Sequence, residues 1–197
     1  MAIRRRTVRR FAIEARTKDE YFRVALQLLA DHGATGVTIA SLCTALDVTK
    51  GSFYHHFESG PDFMQAFLAD WERKYAKPAV EDARDIADPG ERLDRLKPLV
   101  VGLYHEAESA IRALARTDDY AAEVQSRVDA ERLQVVTESI VALGIEADGA
   151  SDLAHIALAM LIGAQHIGRP VDREQLARQL DVFERWLIAE AARAATI

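Results

Sequence analysis

Apolar residues recur along most of the chain at the spacing of one helix face, and nowhere with the strict alternation of a half-buried strand. Phe22, Ala25, Leu26 and Leu29 fall at i, i+3, i+4 and i+7. They follow Thr17 and Glu20, whose spacing predicts a capping box, and Gly33 ends the pattern. Thr38 then predicts the cap of a short second helix that turns Ile39, Leu42 and Ala45 inward. "LDVT" reads as a tight turn, and "VTKGSFYHHF", residues 48 to 57, as a third, short helix. Ser59 opens a fourth, with Asp62 near its positive end and Phe63, Phe67 and Trp71 along a helix running to about Tyr75.

Beyond it, "DPGERL" places Asp88 at a cap and Pro89 at a first helical position. Leu93, Leu96, Val100 and Leu103 form the next stripe. Pro98 is expected to bend or divide that helix, because proline removes a backbone donor. A short helical piece covers about 107 to 116. Thr117 then starts a long helix through Val124, Val128, Val135 and Ile140, ending at Gly144. "SDLAHIALAMLIGAQHIG" is apolar around nearly its whole circumference, which predicts burial on more than one side. The last helix carries Leu176, Leu180, Phe183, Leu187 and Ala191 on one face. With no repeat and no low-complexity linker, the pattern predicts an all-α fold of about nine helices. Residues 1–60 would form a three-helix head, and residues 61–197 a larger helical body reached through the fourth helix.

Composition narrows the setting. The one cysteine, Cys43, excludes an internal disulfide framework and suits a reducing cytosol. No apolar run approaches the ~18 residues of a membrane span. The basic start "MAIRRRTVRRF" lacks the apolar stretch of a secretory signal, so a cytoplasmic protein with no membrane partner is expected. The net charge of −6 argues against a polyanionic partner until its distribution is counted. Residues 1–60 hold nine Lys/Arg and six Asp/Glu, net +3, which leaves 16 minus 25, or −9, for the remainder. A basic front on an acidic body directs any polyanion to the front; the plainer reading is a solvated arginine tail.

Two short helices joined by a tight turn make a helix-turn-helix, whose second helix can lie in the DNA major groove. The residues suit that task. Thr49 and Ser52 are small hydrogen-bonding groups, Lys50 can reach a phosphate or guanine edge, and Gly51 lets a backbone approach closely. Tyr54 offers a hydroxyl to a phosphate, His55 and His56 are polar rings at the helix end, and Thr38 adds a phosphate contact at a helix start. Phe53 and Phe57 read as core residues that fasten the helix. The segment "ATGVTIASLCTALDVTKGSFYHHF", residues 34 to 57, resembles the DNA-binding segment of TetR-family transcriptional regulators. The likeness lies in Gly33 and Gly36, the Thr38 cap, Val48, Lys50-Gly51-Ser52, Phe53-Tyr54 and Phe57. Two positions depart from the family pattern: Asp47 stands where a turn glycine is usual, and Gly60 where a lysine often meets a phosphate. Aspartate tolerates the left-handed conformation better than most residues. The arginines at 4, 5, 6, 9 and 10 can compensate for the missing lysine as an arm along the DNA.

The resemblance implies a ligand-responsive regulator, a repressor that leaves a palindromic operator when a small molecule binds the body. It implies a homodimer on double-stranded DNA, paired through the last two helices with Ala157, Leu161, Phe183 and Leu187 at the interface. It also implies a cavity in the body, for which Phe67, Trp71, Tyr75, Tyr104 and His105 are the candidate wall. Ordinary core packing is the competing account of those aromatics. No cofactor is expected. His55 and His56 are adjacent and point apart, and no pair among His105, His155 and His166 has the i, i+4 spacing of a helical metal site. No nucleophile elbow, phosphate loop or dinucleotide fingerprint supports an enzyme. A small-molecule-binding helical protein independent of specific DNA remains the alternative.

Overall fold

The structure, a computed structural model, describes residues 16–194; the arginine arm expected at positions 4, 5, 6, 9 and 10 lies outside them. Every regular element among the described residues is helical. Helix α1 (Lys18–His32) opens on the capping box: Thr17 Oγ1 accepts from the Glu20 amide at 3.3 Å, and Glu20 Oε2 accepts from the Thr17 amide at 2.8 Å. Its inward face buries Tyr21, Phe22, Ala25, Leu26 and Leu29. The chain leaves at Gly33 (φ 70°) through one tight helical turn, Ala34–Gly36. There Gly36 sits so close to α1 that a Cβ would stand 2.4 Å from His32 Cβ.

Helix α2 (Ile39–Leu46) is capped by Thr38 as expected, but buries Leu42, Cys43 and Leu46. Ala45 is exposed, because eight residues present one stripe inward and Cys43, not Ala45, lies on it. Asp47 ends α2 in the left-handed region (φ 53°), the conformation that its place in the turn demands. Helix α3 (Lys50–His56) follows directly.

Helix α4 (Gly60–Trp71) starts at Ser59, whose Oγ accepts from the Asp62 amide at 3.1 Å. It does not stop near Tyr75. A widened π turn, Glu72–Ala76, carries it without a break into α5 (Lys77–Arg84). Pro78 explains the widening: proline has no N–H and its ring crowds the preceding turn, and one extra residue in the turn relieves both. Helix α6 (Pro89–Val101) begins with Asp88 Oδ1 accepting from the Glu91 amide at 2.8 Å. Pro98 neither divides it nor ends it at once; the helix runs three residues further, to Val101. Helix α7 (His105–Leu114) precedes α8 (Asp119–Ala142). Asp118 rather than Thr117 caps α8, and the Thr117 hydroxyl instead donates to the Leu114 carbonyl. Helices α9 (Ala147–Ile167) and α10 (Arg173–Ala194) complete the described chain. Because α4 and α5 form one rod, these ten segments make nine rods among the described residues.

One buried core crosses the boundary expected at residue 60. It joins Tyr21, Phe22, Phe53 and Phe57 of the head to Phe67, Trp71, Ile111 and Val124 of the body, and α1 packs on α7. Two smaller clusters lie deeper in the body, one around Val80, Leu93, Val135 and Leu187, the other around Leu103, Leu161 and Leu176. Helix α9 was expected to be buried on more than one side. Within one chain it buries only the side of Ala150, Ala154, Leu161 and Gln165, and leaves Ile156 and Ile167 50% and 89% exposed. No helix of the described residues is long and apolar enough to cross a membrane.

Candidate DNA-binding site

Helix α3 is held by two rings and offers the rest. Phe53 and Phe57 are 0% and 2% exposed, packed on Tyr21, on Phe63 (4.9 Å from Phe57 between centroids) and on each other. Such edge-to-face packing fixes ring orientation as well as burying area. Lys18 adds its ammonium over the Phe57 ring at 5.1 Å. With that face fixed, Thr49, Lys50, Gly51, Tyr54 and His55 turn to solvent, as does Thr38 at the start of α2. Thr49 Oγ1 caps α3 by accepting from the Ser52 amide at 3.3 Å. A Cβ at Gly51 would meet only Thr49 Oγ1, at an ordinary 3.5 Å. Nothing inside the chain therefore requires glycine there, although glycine costs a helix roughly 0.5–1 kcal/mol relative to alanine.

Two of the sequence candidates turn inward instead. The Ser52 hydroxyl accepts from Tyr21 Oη at 3.3 Å and is half-buried. The His56 ring packs 5.7 Å from Tyr21, and its Nε2 is shut from solvent without a hydrogen-bond partner. Both lie on the side of α3 that faces α1, which a seven-residue helix anchored by Phe53 and Phe57 cannot avoid. Cys43, buried behind α3, is pushed above the usual thiol range by burial, against the opposing charge of Lys50.

In the body, α5, α6, α8, α9 and α10 line a largely apolar cavity of about 100 Å³, open on one side. None of the five expected wall residues lines it. Phe67 and Trp71 are 2% and 1% exposed in the core between head and body, because α4 packs its aromatic face there. Tyr75 and Tyr104 meet edge to face at 5.3 Å, beside Trp71 at a separate, open pocket of about 270 Å³. His105 is wholly buried in a polar chain. Its Nε2 lies 3.2 Å from the Val101 carbonyl, and Gln165 Nε2 lies 3.5 Å from its Nδ1. The Val101 contact assigns the ring proton to Nε2 and leaves Nδ1 to accept. Gln165 Nε2 also donates to Glu108, which takes both terminal nitrogens of Arg132, the shorter contact 2.6 Å. Burial pushes the His105 pKa below the usual histidine value, against the Val101 hydrogen bond that favours the charged ring.

Most of the expected dimer contacts turn inward, Phe183 only in part. Ala157, Leu161, Phe183 and Leu187 all line the body cavity, and Leu161 and Leu187 are 4% and 1% exposed in a single chain. The stripe along α10 serves the chain's own core. The outward side of α9 and α10 forms a broad groove of about 900 Å³ that includes Ile156, Met160, Ile167, Val182 and Trp186, and the half-buried Phe183 lines it as well as the cavity.

Residues 22–65 match the model of bacterial regulatory proteins of the tetR family. The head therefore carries the DNA-binding segment of the tetR family. Solved structures extend the likeness over the whole fold. A transcriptional regulator from Rhodococcus sp. Rha1 is 17% identical, with 89% of this chain and 97% of that one covered and a TM-score of 0.74. A TetR-family regulator from Streptomyces coelicolor is 16% identical over 88% and 95% of the two chains, with a TM-score of 0.72. A transcriptional regulator from Saccharomonospora viridis, solved in complex with choline, is 18% identical over 84% and 94%, with a TM-score of 0.70. At these identities the structures establish a shared fold. No curated protein matches the chain in sequence.

The TetR-family head thus has the helix-turn-helix that its sequence predicts, with the turn at Asp47 intact. Sequence reasoning missed Tyr21 as the residue that occupies Ser52 and His56. It also missed the charged lining of the body cavity, Lys97, Arg132 and Glu184, because charges on helices read as solvated faces. The outward apolar pair Val182 and Trp186, at i and i+4, was a legible signal masked by the stronger stripe beside it. Among the described residues no group of three or more His, Cys, Asp or Glu side chains is placed to hold a metal ion.

Proposed function

We propose that this chain is a ligand-responsive, DNA-binding transcriptional regulator, a homodimer that represses from a palindromic operator and leaves it when a small molecule enters the body. The observation that carries the reading is the division of α3. Phe53 and Phe57 fasten one face, while Thr49, Lys50, Gly51, Tyr54 and His55 stand clear on the other with a glycine that the fold itself does not need. Lys50 and Tyr54 reach base edges and phosphates, Gly51 lets the DNA backbone close in, and Thr38 takes a phosphate at the start of α2. The functional division is a head over residues 1–60 and a body over 61–197, although the two share a core.

Charge supports a role for the N-terminal arm. From residue 16 to 60 the head holds four Lys/Arg (16, 18, 23, 50) and five Asp/Glu (19, 20, 31, 47, 58), net −1. Its positive balance comes from the arginines at 4, 5, 6, 9 and 10. Removing residues 1–10 should weaken DNA binding and flatten its salt dependence; unchanged affinity and slope would defeat that role.

The apolar outward side of α9 and α10 supports dimerisation there, through Ile156, Met160, Ile167, Val182 and Trp186. Two recognition helices about 34 Å apart then meet successive major grooves. Val80 gives the effector a handle: it lines the body cavity and belongs to the rod that begins at Gly60, beside α3. A ligand that fits the cavity better when the heads are spread lowers DNA affinity by that difference. The Saccharomonospora viridis neighbour was solved in complex with choline, which supports a small-molecule ligand for a chain of this fold.

A mobility-shift assay on total genomic fragments tests the reading. Retention of a few fragments, abolished in a Lys50→Ala, Tyr54→Ala variant that melts like the wild type, is the expected result. No retention by a folded dimer would favour a small-molecule-binding protein that does not depend on specific DNA.

A further inference from the structure

The body cavity holds a group that apolar packing does not need. Glu184 lines it and is 9% exposed. Its Oε2 takes the Lys97 ammonium, but its Oε1 is shut from solvent and has no hydrogen-bond partner. A buried carboxylate oxygen without a donor is costly, and native proteins leave few of them. The apolar side chains around the cavity, among them Leu96, Val135, Leu158 and Phe183, offer no donor.

The charges around the cavity set the sign of what fits. Lys97 and Arg132 line it, and both are already engaged: Lys97 by Asp94 at 2.9 Å, Asp181 at 3.0 Å and Glu184, and Arg132 by Glu108. Asp94 and Asp181 lie largely in solvent, but with Glu184 and Glu108 they engage both cations, so neither is free to take an anion. Burial opposes the charge of Lys97, but the hydrogen bonds it donates to Glu184, Asp94 and Asp181 hold it charged, above the ordinary lysine range. The lysine thus stays a partner for Oε2, leaving Oε1 for an outside donor. Size sets the frame, since a cavity of about 150 Å³ admits benzene and this one is about 100 Å³ with an open side.

We propose that the cavity takes a small amphipathic organic cation, an amine on a frame of about one six-membered ring or a short aliphatic chain, whose N–H donates to Glu184 Oε1. The frame lies against Leu96, Leu158 and Phe183. The inference rests on the reading that this cavity is the effector site.

One ring carrying four different heads tests it. The full-length chain is titrated by calorimetry with benzylamine, benzyl alcohol, toluene and benzoate. Benzylamine should bind tightest, about tenfold or more above toluene, as a charge-assisted hydrogen bond implies, with benzoate weakest. In Glu184→Gln, which keeps the side chain's shape, the advantage of benzylamine over benzyl alcohol should shrink about tenfold. Equal or tighter binding of toluene or benzoate would overturn the cation assignment while leaving the cavity an effector site. No binding of any of the four, toluene included, would overturn the effector-site reading and this inference with it.

Discussion

Helix α3 and the pair α9–α10 each bury one face and leave another in solvent, but the two exposed faces differ in kind. On α3 the exposed positions are Thr49, Lys50, Gly51, Tyr54 and His55: small, polar or charged, with a gap at the glycine. On α9–α10 they include Ile156, Ile167, Val182, Trp186 and Ile188, between 44% and 89% exposed. A face that meets a hydrated polyanion needs donors and close backbone approach. A face that meets a second copy of the chain needs dry apolar area. Under the proposed function, the contrast separates a surface suited to DNA from a surface suited to pairing subunits, even though each lies on a helix anchored by apolar residues behind it.

The contrast can be broken from both sides. The largest effect should come from removing the anchor of α3. Phe57→Ala opens a void in the core shared by head and body and should cost about 3–5 kcal/mol of stability, read by denaturant unfolding, with DNA binding lost alongside. On the other surface, Trp186→Glu should yield folded monomers in sedimentation, weakening association by about 100-fold, since a charge placed in a dry interface costs several kcal/mol unless it is paired. Leu187→Glu should instead unfold the body, because Leu187 is 1% exposed within one chain. A Trp186→Glu protein that stays dimeric would move the interface elsewhere.

The polar chain behind the cavity gives a smaller, pH-dependent effect. The folded pKa of His105 is lowered by burial, while the unfolded chain takes up its proton near pH 6.5, the usual histidine value of about 6.5. The stability linked to His105 is therefore present above about pH 6.5 and is lost as pH falls below it toward the folded pKa. His105→Gln should flatten the fall in melting temperature over that range; an unchanged profile would assign the fall to other groups. The smallest effect sharpens the comparison most. Gly51→Ala should raise stability by up to about 1 kcal/mol and yet weaken DNA binding, because the added methyl meets nothing in the chain but stands on the outward face. Gains in both would remove Gly51 from the DNA contact.

The head was legible because its signals are local. Thr17 with Glu20, Thr38, Ser59 and Asp88 each act within one turn of chain, and all four cap as their spacing says. Phe53 and Phe57, four residues apart, could be assigned to the core, while Tyr54 between them is exposed. The body was less legible because its faces are set by partners distant in sequence. The stripe Leu176–Leu180–Phe183–Leu187 is a true apolar face, but nothing in its period says whether its own chain or a second copy covers it. Lys97 and Glu184 are 87 residues apart, so no window of sequence could pair them. Pro78 carried a readable warning of irregular helix, yet only the structure shows the rod continuing past it to Arg84, with Glu72 of the widened turn held by Arg127 at 2.9 and 3.1 Å.

The central claim is that the outward face of α3 reads a DNA sequence. Selection from a random DNA pool with the full-length protein at defined salt tests it most directly. The account predicts one roughly palindromic sequence with half-sites about 10 base pairs apart, lost in the Lys50→Ala, Tyr54→Ala variant at unchanged melting temperature. Recovery of no preferred sequence by a folded dimer, or of one that the double variant binds equally well, would contradict it.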